Sequence, residues 1–406
     1  MTGENRAAGK DLSHYLPLYE AALHGDWEKA STILEQDPKA FKARITGASE
    51  RALFVVIRSP RKNHFLKKLV EHMSSTDLAF VDEDGSTALH IAAIAGNIEA
   101  AKLLVNKNSD LPNILDNNNS LPIHSAAACG EREMFLYLKT VTNANMEPKP
   151  FEDESGVRLV HALITYGYYD LALTLVKCCP KLACWDPSPL QSITVKHYAF
   201  RSGARLKHWQ RLIYNCVPAQ LENLADQHSG GDIENPVHGC ISVVQNLQSK
   251  FWKLTGKLVP QIKHIQEIKV IHHLAVQLVK LLCMEIVKLD YSKAASIFGV
   301  SLKVAAITGV REVVEEILSS FPGAIYLKNE FNQTIFHLAI VNRRENIFNL
   351  VYQFEEFSNL FISTVDSTMN NGLHLAGCLE SQQKLNLRAR AAGAALQMQL
   401  NYSGLR

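Results

Sequence analysis

The sequence predicts an all-α repeat solenoid. Three observations carry this prediction: a recurring motif, a nearly constant spacing between its copies, and a composition suited to packed helices. The 406-residue chain is 47% hydrophobic and 20% charged, which is enough apolar material for a sizeable core. Its formal net charge of +2 gives no sign of the concentrated basic charge of a DNA-binding protein. The charge balance by itself argues neither for nor against nucleic-acid binding, and we expect no nucleic-acid partner.

The clearest copy of the motif combines a turn with two short helices. Asp84-Gly85 predicts a tight turn, because glycine accepts a positive φ at little cost. Thr87 is suited to cap the first helix through its hydroxyl, and Gly96 is suited to the left-handed residue that ends it. Residues 98–104 then have the apolar spacing of a second amphipathic helix.

Copies of this motif recur at gaps of 34 to 37 residues in two series. With His90 as the register mark, its counterparts are Tyr19, Phe54, His124 and His161 in the first series and Lys303, His337 and His374 in the second. Glycines stand six residues after most of these marks, namely Gly25, Gly96, Gly130, Gly167 and Gly309. The pattern resembles the ankyrin repeat, which has a Thr-Pro-Leu-His-x-Ala signature and a period of about 33 residues.

The recurring histidines are predicted to be structural. One histidine per repeat places them along a ladder and not around one centre, so metal binding and general-base catalysis are disfavoured. In an ankyrin unit this histidine bridges backbone groups at the turn. The register residues of the predicted repeats are Thr87, His90, Gly96, His124, Gly130, His161, Gly167, Gly309, His337 and His374.

No pattern in the chain predicts a catalytic, cofactor or metal site. The sequence contains no nucleophile elbow, P-loop or zinc-protease motif. Cys178, Cys179 and Cys184 cluster, but no second pair of ligands stands at zinc spacing. The eight cysteines lack even spacing and no secretory signal precedes them, which is typical of reduced thiols in the cytosol. We therefore expect a cytoplasmic, non-enzymatic chain without a cofactor.

The register disappears between residues 186 and 290. Residues 219–236 are polar and glycine-containing and predict a loop. The stretch 259–289 has apolar residues at helical spacing and predicts a long amphipathic helix. That helix either packs on the adjoining repeats or recruits a partner or a second copy of the chain.

A basic and aromatic run lies at the start of this insertion. Its members are Arg201, Arg205, Lys207, His208, Trp209, Arg211 and Tyr214. The interpretation we favour is one solvated helix face with aromatic side chains packed beneath it. The alternatives are a patch for an anionic surface or nucleic acid, and a concealed enzyme site between Arg201 and Cys216.

These features predict four regions. Residues 1–186 form an N-terminal block of about five repeats, the first two degenerate. Residues 187–290 form the insertion, with a loop and a long helix. Residues 291–378 form a C-terminal block of about three repeats, the last one truncated and lacking its cap residue. Residues 379–406 form a tail.

Four segments outside the best repeats resemble a known family. Residues 18–27 are similar to the opening repeat of plant ankyrin-repeat proteins with a C-terminal PGG-type transmembrane domain. Residues 198–203 with 209–216 are similar to their central segment, residues 261–283 to their long helix, and residues 393–399 to the junction that precedes their membrane part. The resemblance implies a role in stress or defence signalling at the cytosolic face of a membrane, the plasma membrane being expected. Those proteins continue from the junction into several transmembrane helices. This sequence ends at Arg406 without such a segment and predicts a truncated isoform or gene model.

The expected function is a protein-interaction scaffold or adaptor in plant stress or defence signalling. The expected partners are other proteins bound on the concave ankyrin surface, with full-length family members as further candidates. The alternative is the cytosolic portion of a membrane-anchored signalling protein.

Overall fold

The structure, a computed structural model, describes residues 14–46, 50–145, 149–204, 206–217, 260–353 and 364–377. Within these ranges the regular secondary structure is helical and no strand is present. The chain is an all-α repeat solenoid, as the sequence predicts. It divides into two compact units, residues 1–168 and 169–406, which are described in turn.

The first unit contains nine α-helices in its described part, joined by short turns. They are α1 Leu16–His24, α2 Trp27–Gln36, α3 Ala52–Ile57, α4 Asn63–His72, α5 Ala88–Ile94, α6 Ile98–Lys107, α7 Pro122–Cys129, α8 Arg132–Val141 and α9 Asp153–Thr165.

These helices alternate between two rows. The odd-numbered helices form the inner row, in which α1 packs on α3, α3 on α5, α5 on α7 and α7 on α9. The even-numbered helices form the outer row, in which α4 packs on α6 and α6 on α8. Ala92 and Ala93 of α5 are completely buried, because small side chains allow neighbouring helices to approach closely. Each repeat thus buries its apolar faces against the repeats on either side of it.

A finger-like turn precedes both α5 and α7. The Asp82 carboxylate accepts hydrogen bonds from the backbone N–H groups of Asp84 and Ser86, at 3.0 and 2.8 Å. Asp116 makes the same pair of bonds to Asn118 and Ser120, both at 2.8 Å. Such side-chain-to-backbone bonds close a turn that needs no strand pairing. Among the described residues the fingers accordingly contain one isolated antiparallel β-bridge, between Val81 and Thr87.

The second unit also contains nine α-helices in its described part. They are α10 Tyr169–Cys178, α11 Pro189–Val195, α12 His208–Cys216, α13 Pro260–Ile286, α14 Tyr291–Thr308, α15 Arg311–Ser320, α16 Ile335–Val341, α17 Glu345–Phe348 and α18 Gly372–Gly377.

The helices of the predicted insertion take part in the same stacking as the repeats. In one row α10 packs on α13, α13 on α15 and α15 on α17. In the other row α11 packs on α14, α14 on α16 and α16 on α18. α11 and α13 also contact each other and so act as an inner and an outer helix, although more than 60 residues separate them in sequence. The stacking is therefore continuous through this part of the chain. The division into four regions remains a prediction from the sequence.

The long helix α13 packs by its apolar face. The side chains buried along it are Ile265, His272, Ala275, Leu278, Val279, Leu282, Cys283 and Ile286. The helix packs on α10, α11, α12 and α15, which favours the packing interpretation of the predicted helix over recruitment of a partner. The predicted loop at 219–236 and the tail at 379–406 lie outside the described residues.

The structure agrees only in part with the interpretation favoured for the basic and aromatic run. Tyr214 is buried beneath α12, as predicted, but Trp209 is 45% exposed and Leu212 is 69% exposed. Trp209 and Leu212 are three residues apart and share a face of α12, whereas Tyr214 points to α13. Arg205 lies outside the described residues.

Candidate protein-binding surface

A buried histidine holds the start of α5. His90 Nδ1 accepts hydrogen bonds from the Thr87 N–H at 3.1 Å and the Thr87 hydroxyl at 2.9 Å. Because Nδ1 is the acceptor, the ring proton is on Nε2, which donates to the Ser120 carbonyl at 3.0 Å. Ser120 belongs to the next finger, so the ring joins one repeat to the following one. The Thr87 side chain thus forms a capping box with His90 at the start of the helix.

The same arrangement recurs at His124 and His337. His124 accepts from the Leu121 N–H at 3.1 Å and contacts the Ser155 hydroxyl at 2.8 Å. Burial, with a smaller contribution from the Arg158 charge, lowers the pKa of His124 to about 4. Burial also lowers the pKa of His90 and of His337. These rings are therefore neutral at physiological pH and serve as fixed hydrogen-bonding groups.

The other register marks have different surroundings. His161 is eight residues after the start of α9, and Lys303 is twelve residues after the start of α14, so neither stands at a helix N-terminus. In both repeats a longer helix replaces the finger. His374 keeps the position two residues after the helix start, but its side chain is exposed.

The last described repeat has a cap, contrary to the sequence-based prediction. Asn371 directly precedes α18, and its Oδ1 accepts from the N–H groups of Leu373 and His374, both at 3.1 Å. Asparagine is among the best N-cap residues. It takes the place of the Thr87-type residue because its short amide reaches the same backbone groups.

Two arginines provide the inter-repeat bonds where a histidine or a finger is lacking. Arg51 precedes α3 and donates to the carbonyls of Lys42 at 3.2 Å and Val81 at 2.9 Å. Arg158 of α9 donates to the Asn119 carbonyl at 2.8 Å and the Ser120 hydroxyl at 3.0 Å. Neither residue follows from the repeat pattern. Their only sequence signal is that each stands in a repeat whose turn departs from the motif.

The register glycines adopt the left-handed conformation. Gly96, Gly130, Gly167 and Gly309 have φ values of 63°, 75°, 80° and 85°. Arg343 occupies the equivalent place in the repeat of α16, with φ of 57°. A positive φ is uncommon for a residue with a Cβ.

The fingers are fixed to each other and leave their tips exposed. The Asn117 N–H donates to the Asp84 carbonyl at 3.0 Å, and its side-chain amide donates to the Glu83 carbonyl at 2.9 Å. Asn118 and Asn119 are exposed beyond these bonds. The fingers thus form a row of polar groups held in a fixed geometry.

The inner helices present a less polar strip beside these fingers. The strip consists of the positions four residues after the register marks, which are all exposed: Leu23, Arg58, Ile94, Ala128 and Thr165. A cleft of about 200 Å³ lies between α7, α9 and the second finger. We call the fingers at 82–86 and 116–120, together with this strip, the finger-and-helix face.

The second unit repeats the finger geometry. Asn329 Oδ1 accepts from the N–H groups of Phe331 and Gln333 at 3.0 and 2.8 Å. Asp366 makes equivalent bonds to Thr368 and Asn370 at 2.9 and 2.8 Å. A cleft of about 280 Å³, lined in part by Gly299 of α14, opens beside the first of these fingers.

The cysteine cluster does not form a recognisable metal centre. Cys178 is exposed and Cys179 is half-buried, while the Cys184 thiol lies 3.8 Å from the Glu285 carbonyl. Burial raises the pKa of Cys184, which lowers its tendency to form a thiolate. No group of three or more possible metal-ligating side chains occurs among the residues that the structure describes.

None of the described helices combines the length and the apolarity that a membrane span requires. The longest of them, α13, has 27 residues but carries lysine and glutamate side chains along its length.

Comparison with known families settles the nature of the repeats. Residues 53–149 match the family model for ankyrin repeats in three copies. The chain contains ankyrin repeats. Ankyrin repeats are protein-interaction modules and are typically non-enzymatic, so the chain has a protein-binding scaffold. The matched range covers α3 to α8, where the finger, histidine and glycine geometry is most regular.

Individual proteins resemble the ankyrin repeats over limited lengths. The BTB/POZ domain-containing protein 1 of Schizosaccharomyces pombe (strain 972 / ATCC 24843) is 32% identical over 111 residues. This alignment covers 24% of the chain, which spans about 8% of that protein's length. The crystal structure of the human ASB11 ankyrin repeat domain matches with a TM-score of 0.35 and 20% identity. That match covers 44% of this chain and 77% of the other.

Proposed function

We propose that the chain is a non-catalytic adaptor that binds another protein on the finger-and-helix face, in plant stress or defence signalling. The observation that carries the binding part is the exposed row of fingertips held by inter-repeat hydrogen bonds. A preformed surface loses little conformational entropy when a partner binds. The signalling context rests on the family resemblance of the segments outside the best repeats.

The composition of the face suits a protein partner. Ile94 is 47% exposed and Leu23 is 46% exposed, so the face combines exposed apolar side chains with the polar fingers. That combination is typical of protein interfaces. Asn118 projects from the second finger without a structural task for its side chain in the described residues.

A pull-down from native cytosol tests this proposal. We expect the double variant Ile94→Arg/Asn118→Arg to lose the proteins that the unchanged chain retains, because two bulky charges disrupt an interface of this kind. The matched control Thr32→Arg/Thr140→Arg adds the same charge on the exposed side of the outer helices α2 and α8. Equal retention by both variants, with unchanged circular dichroism, would refute the assignment of the face.

The second candidate function is the cytosolic portion of a membrane-anchored signalling protein. It rests on the likeness of residues 393–399 to the junction that precedes the transmembrane part in the resembled family. Flotation of the protein from its native source on a density gradient distinguishes the anchored protein from the free adaptor. Recovery with membranes favours the anchored protein, and recovery in the soluble fraction favours the adaptor.

A further inference from the structure

A second surface of the chain is a groove in the unit formed by residues 169–406. One wall consists of residues 197, 201–204, 206 and 207 together with Arg211 and Tyr214 of α12. The other wall consists of the end of α14, the start of α15 and residues 343–346. The groove has a volume of about 1320 Å³, and we call it the basic groove. It shares no residue with the finger-and-helix face.

Cationic side chains outnumber acidic ones along the basic groove by six to three. The cations are Arg201, Lys207, Arg211, Arg311, Arg343 and Arg344, and the acids are Glu312, Glu315 and Glu345. This local excess exceeds the net charge of +2 for the whole chain. The groove therefore concentrates positive potential, as surfaces that select anionic partners do.

Two of the three acidic side chains are already engaged. Glu312 accepts from the Ser202 N–H at 2.8 Å and from the Ser202 hydroxyl. Glu315 accepts from Arg311 Nε at 2.6 Å. Lys207 and Arg211, in contrast, are exposed and have no ion pair with any residue that the structure describes. Their charges are available to a partner.

The wall that carries Lys207 and Arg211 is rigidly supported. The Tyr214 hydroxyl lies 2.9 Å from His272 Nδ1, and Lys269 Nζ donates to the Tyr214 carbonyl at 2.9 Å. Gly203 lies so close to the backbone that a Cβ there would be 2.1 Å from the His197 carbonyl oxygen. The cationic positions are thus held before any partner arrives, which reduces the entropy lost on binding.

The size of the groove favours a polypeptide over a small molecule. Pockets for small ligands are mostly apolar and have volumes of roughly 300–1,000 Å³. The basic groove is larger, and most of its lining residues are polar or charged. An extended peptide fits such a shape and can place several carboxylates along it.

The groove is poorly suited to a nucleic acid. Single-stranded nucleic acids bind by stacking their bases on exposed aromatic side chains. The aromatic residue of this groove is Tyr214, and its ring is covered by the Arg201 guanidinium and the Lys269 ammonium, at 5.5 and 5.2 Å from the ring centre.

We propose that the basic groove binds an acidic peptide segment of a partner protein, with Lys207 and Arg211 as its main charged contacts. This inference goes beyond the proposed adaptor function, because it assigns a second surface and the chemistry of the segment that the surface selects. Charge complementarity of this kind sets specificity and association rate. It also makes the affinity fall as salt screens the charges.

Fluorescence anisotropy on the full chain tests the proposal. The probe is a labelled 12-residue peptide of alternating Glu and Gly. Its neutral counterpart has Gln in place of Glu, and a 12-nucleotide oligo-dT is the third ligand. We expect the acidic peptide to bind, its affinity to fall as NaCl rises from 50 to 300 mM, and both other ligands to bind at least tenfold more weakly.

Charge reversal locates the binding site. We expect Lys207→Glu/Arg211→Glu to weaken binding of the acidic peptide at least tenfold. The matched control Lys177→Glu/Lys280→Glu reverses two exposed lysines of α10 and α13 outside the groove and is expected to leave the affinity within twofold. If charge reversal disturbs the circular dichroism spectrum, the milder Lys207→Gln/Arg211→Gln is expected to weaken binding at least threefold.

Four results would overturn the proposal. They are no binding of the acidic peptide, equal binding of its neutral counterpart, tighter binding of oligo-dT, and equal losses in the groove variant and its control.

The chain also has an acidic stretch of its own, with Glu222, Asp226, Asp232 and Glu234 and no Lys or Arg between residues 218 and 249. Peptide binding that appears only when these four are changed to Gln or Asn would assign the groove to this stretch and not to a partner.

Discussion

His124 shows at the scale of single residues how each turn depends on a neutral ring. Its Nδ1 must stay unprotonated to accept from the Leu121 N–H, and burial beside Arg158 lowers its pKa to about 4. An unfolded histidine has a pKa near 6.5. At a pH between these two pKa values, His124 is protonated in the unfolded chain but not in the folded chain. The stabilisation is therefore complete above pH 6.5 and declines as the pH falls towards 4.

The first prediction concerns this pH dependence. From pH 7.5 to pH 5 we expect His124 to account for a loss of about 2 kcal/mol in the free energy of unfolding. Urea unfolding at the two pH values measures it. His124→Gln should be less stable at pH 7.5 but should lose about 2 kcal/mol less on acidification. His264→Gln, which removes an exposed ring, serves as the control. An unchanged pH dependence in His124→Gln would contradict the geometry.

The second prediction compares two glycines in the left-handed conformation. A Cβ on Gly130 would lie 2.4 Å from the Tyr166 ring, whereas a Cβ on Gly167 would have no neighbour within 4 Å. Both changes to alanine carry the backbone cost of about 1 kcal/mol. Gly130→Ala must also displace Tyr166, whose hydroxyl donates to the Ala128 carbonyl at 2.8 Å.

We expect Gly130→Ala to lower the free energy of unfolding by at least about 1 kcal/mol more than Gly167→Ala, since a typical hydrogen bond contributes about that amount. Thermal or urea unfolding of the two variants provides the measurement. Equal destabilisation would mean that the approach of Tyr166 is not as close as the structure places it.

Connections between repeats explain, at the scale of elements, why departures from the motif are tolerated. A finger, a bridging histidine and a left-handed glycine occur together in the repeats of α5 and α7. The repeat of α9 lacks a finger, and the Arg158 guanidinium of that helix donates to the previous finger instead. The repeat of α3 lacks the histidine, and Arg51 binds the Val81 carbonyl.

The third prediction tests this compensation. Arg158→Met keeps a long unbranched side chain but removes the hydrogen bonds to the second finger, so we expect a loss of about 1–3 kcal/mol in the free energy of unfolding. It should also raise the pKa of His124, because the Arg158 charge helps to lower that pKa. Arg61→Met, at an exposed residue with no described hydrogen bond, should have a much smaller effect. A His124 pKa unchanged in NMR titration would argue against the proximity of the two groups.

The elements also show what the sequence could predict. Periodicity and capping located α5, α7 and α16, because turn, N-cap and histidine lie within nine residues of one another. The spacing of apolar residues placed α13 within a few residues of its observed bounds. The sequence did not predict that α11 and α13 act as a repeat pair, since their partnership spans a long segment that hides the period. Nor did it identify Arg51 and Arg158, because their role depends on contacts 30 to 40 residues away.

At the scale of the whole molecule, the solenoid combines a binding scaffold with a second charged surface. Stability in such a stack is a sum of repeat and interface contributions, so local changes weaken neighbouring repeats most. The sequence predicted the scaffold from its repeats. The sequence alone did not decide whether the basic run around Arg201 is a packed helix face or a patch that binds an anionic surface. The reason is that burial of Tyr214 and Trp209 depends on their distance from α13. The two surfaces have different residues and different proposed ligands, so each can be tested without the other.

Site-specific photo-crosslinking tests the central claim, protein binding on the finger-and-helix face, most directly. A photoreactive amino acid is placed at Asn118 in one variant of the full chain and at Thr140, on the outer helix α8, in a second. Both are irradiated in native cytosol. The account predicts a discrete protein adduct from position 118 that is absent from position 140. Adducts at 140 alone, or the same adducts at both positions, would contradict it.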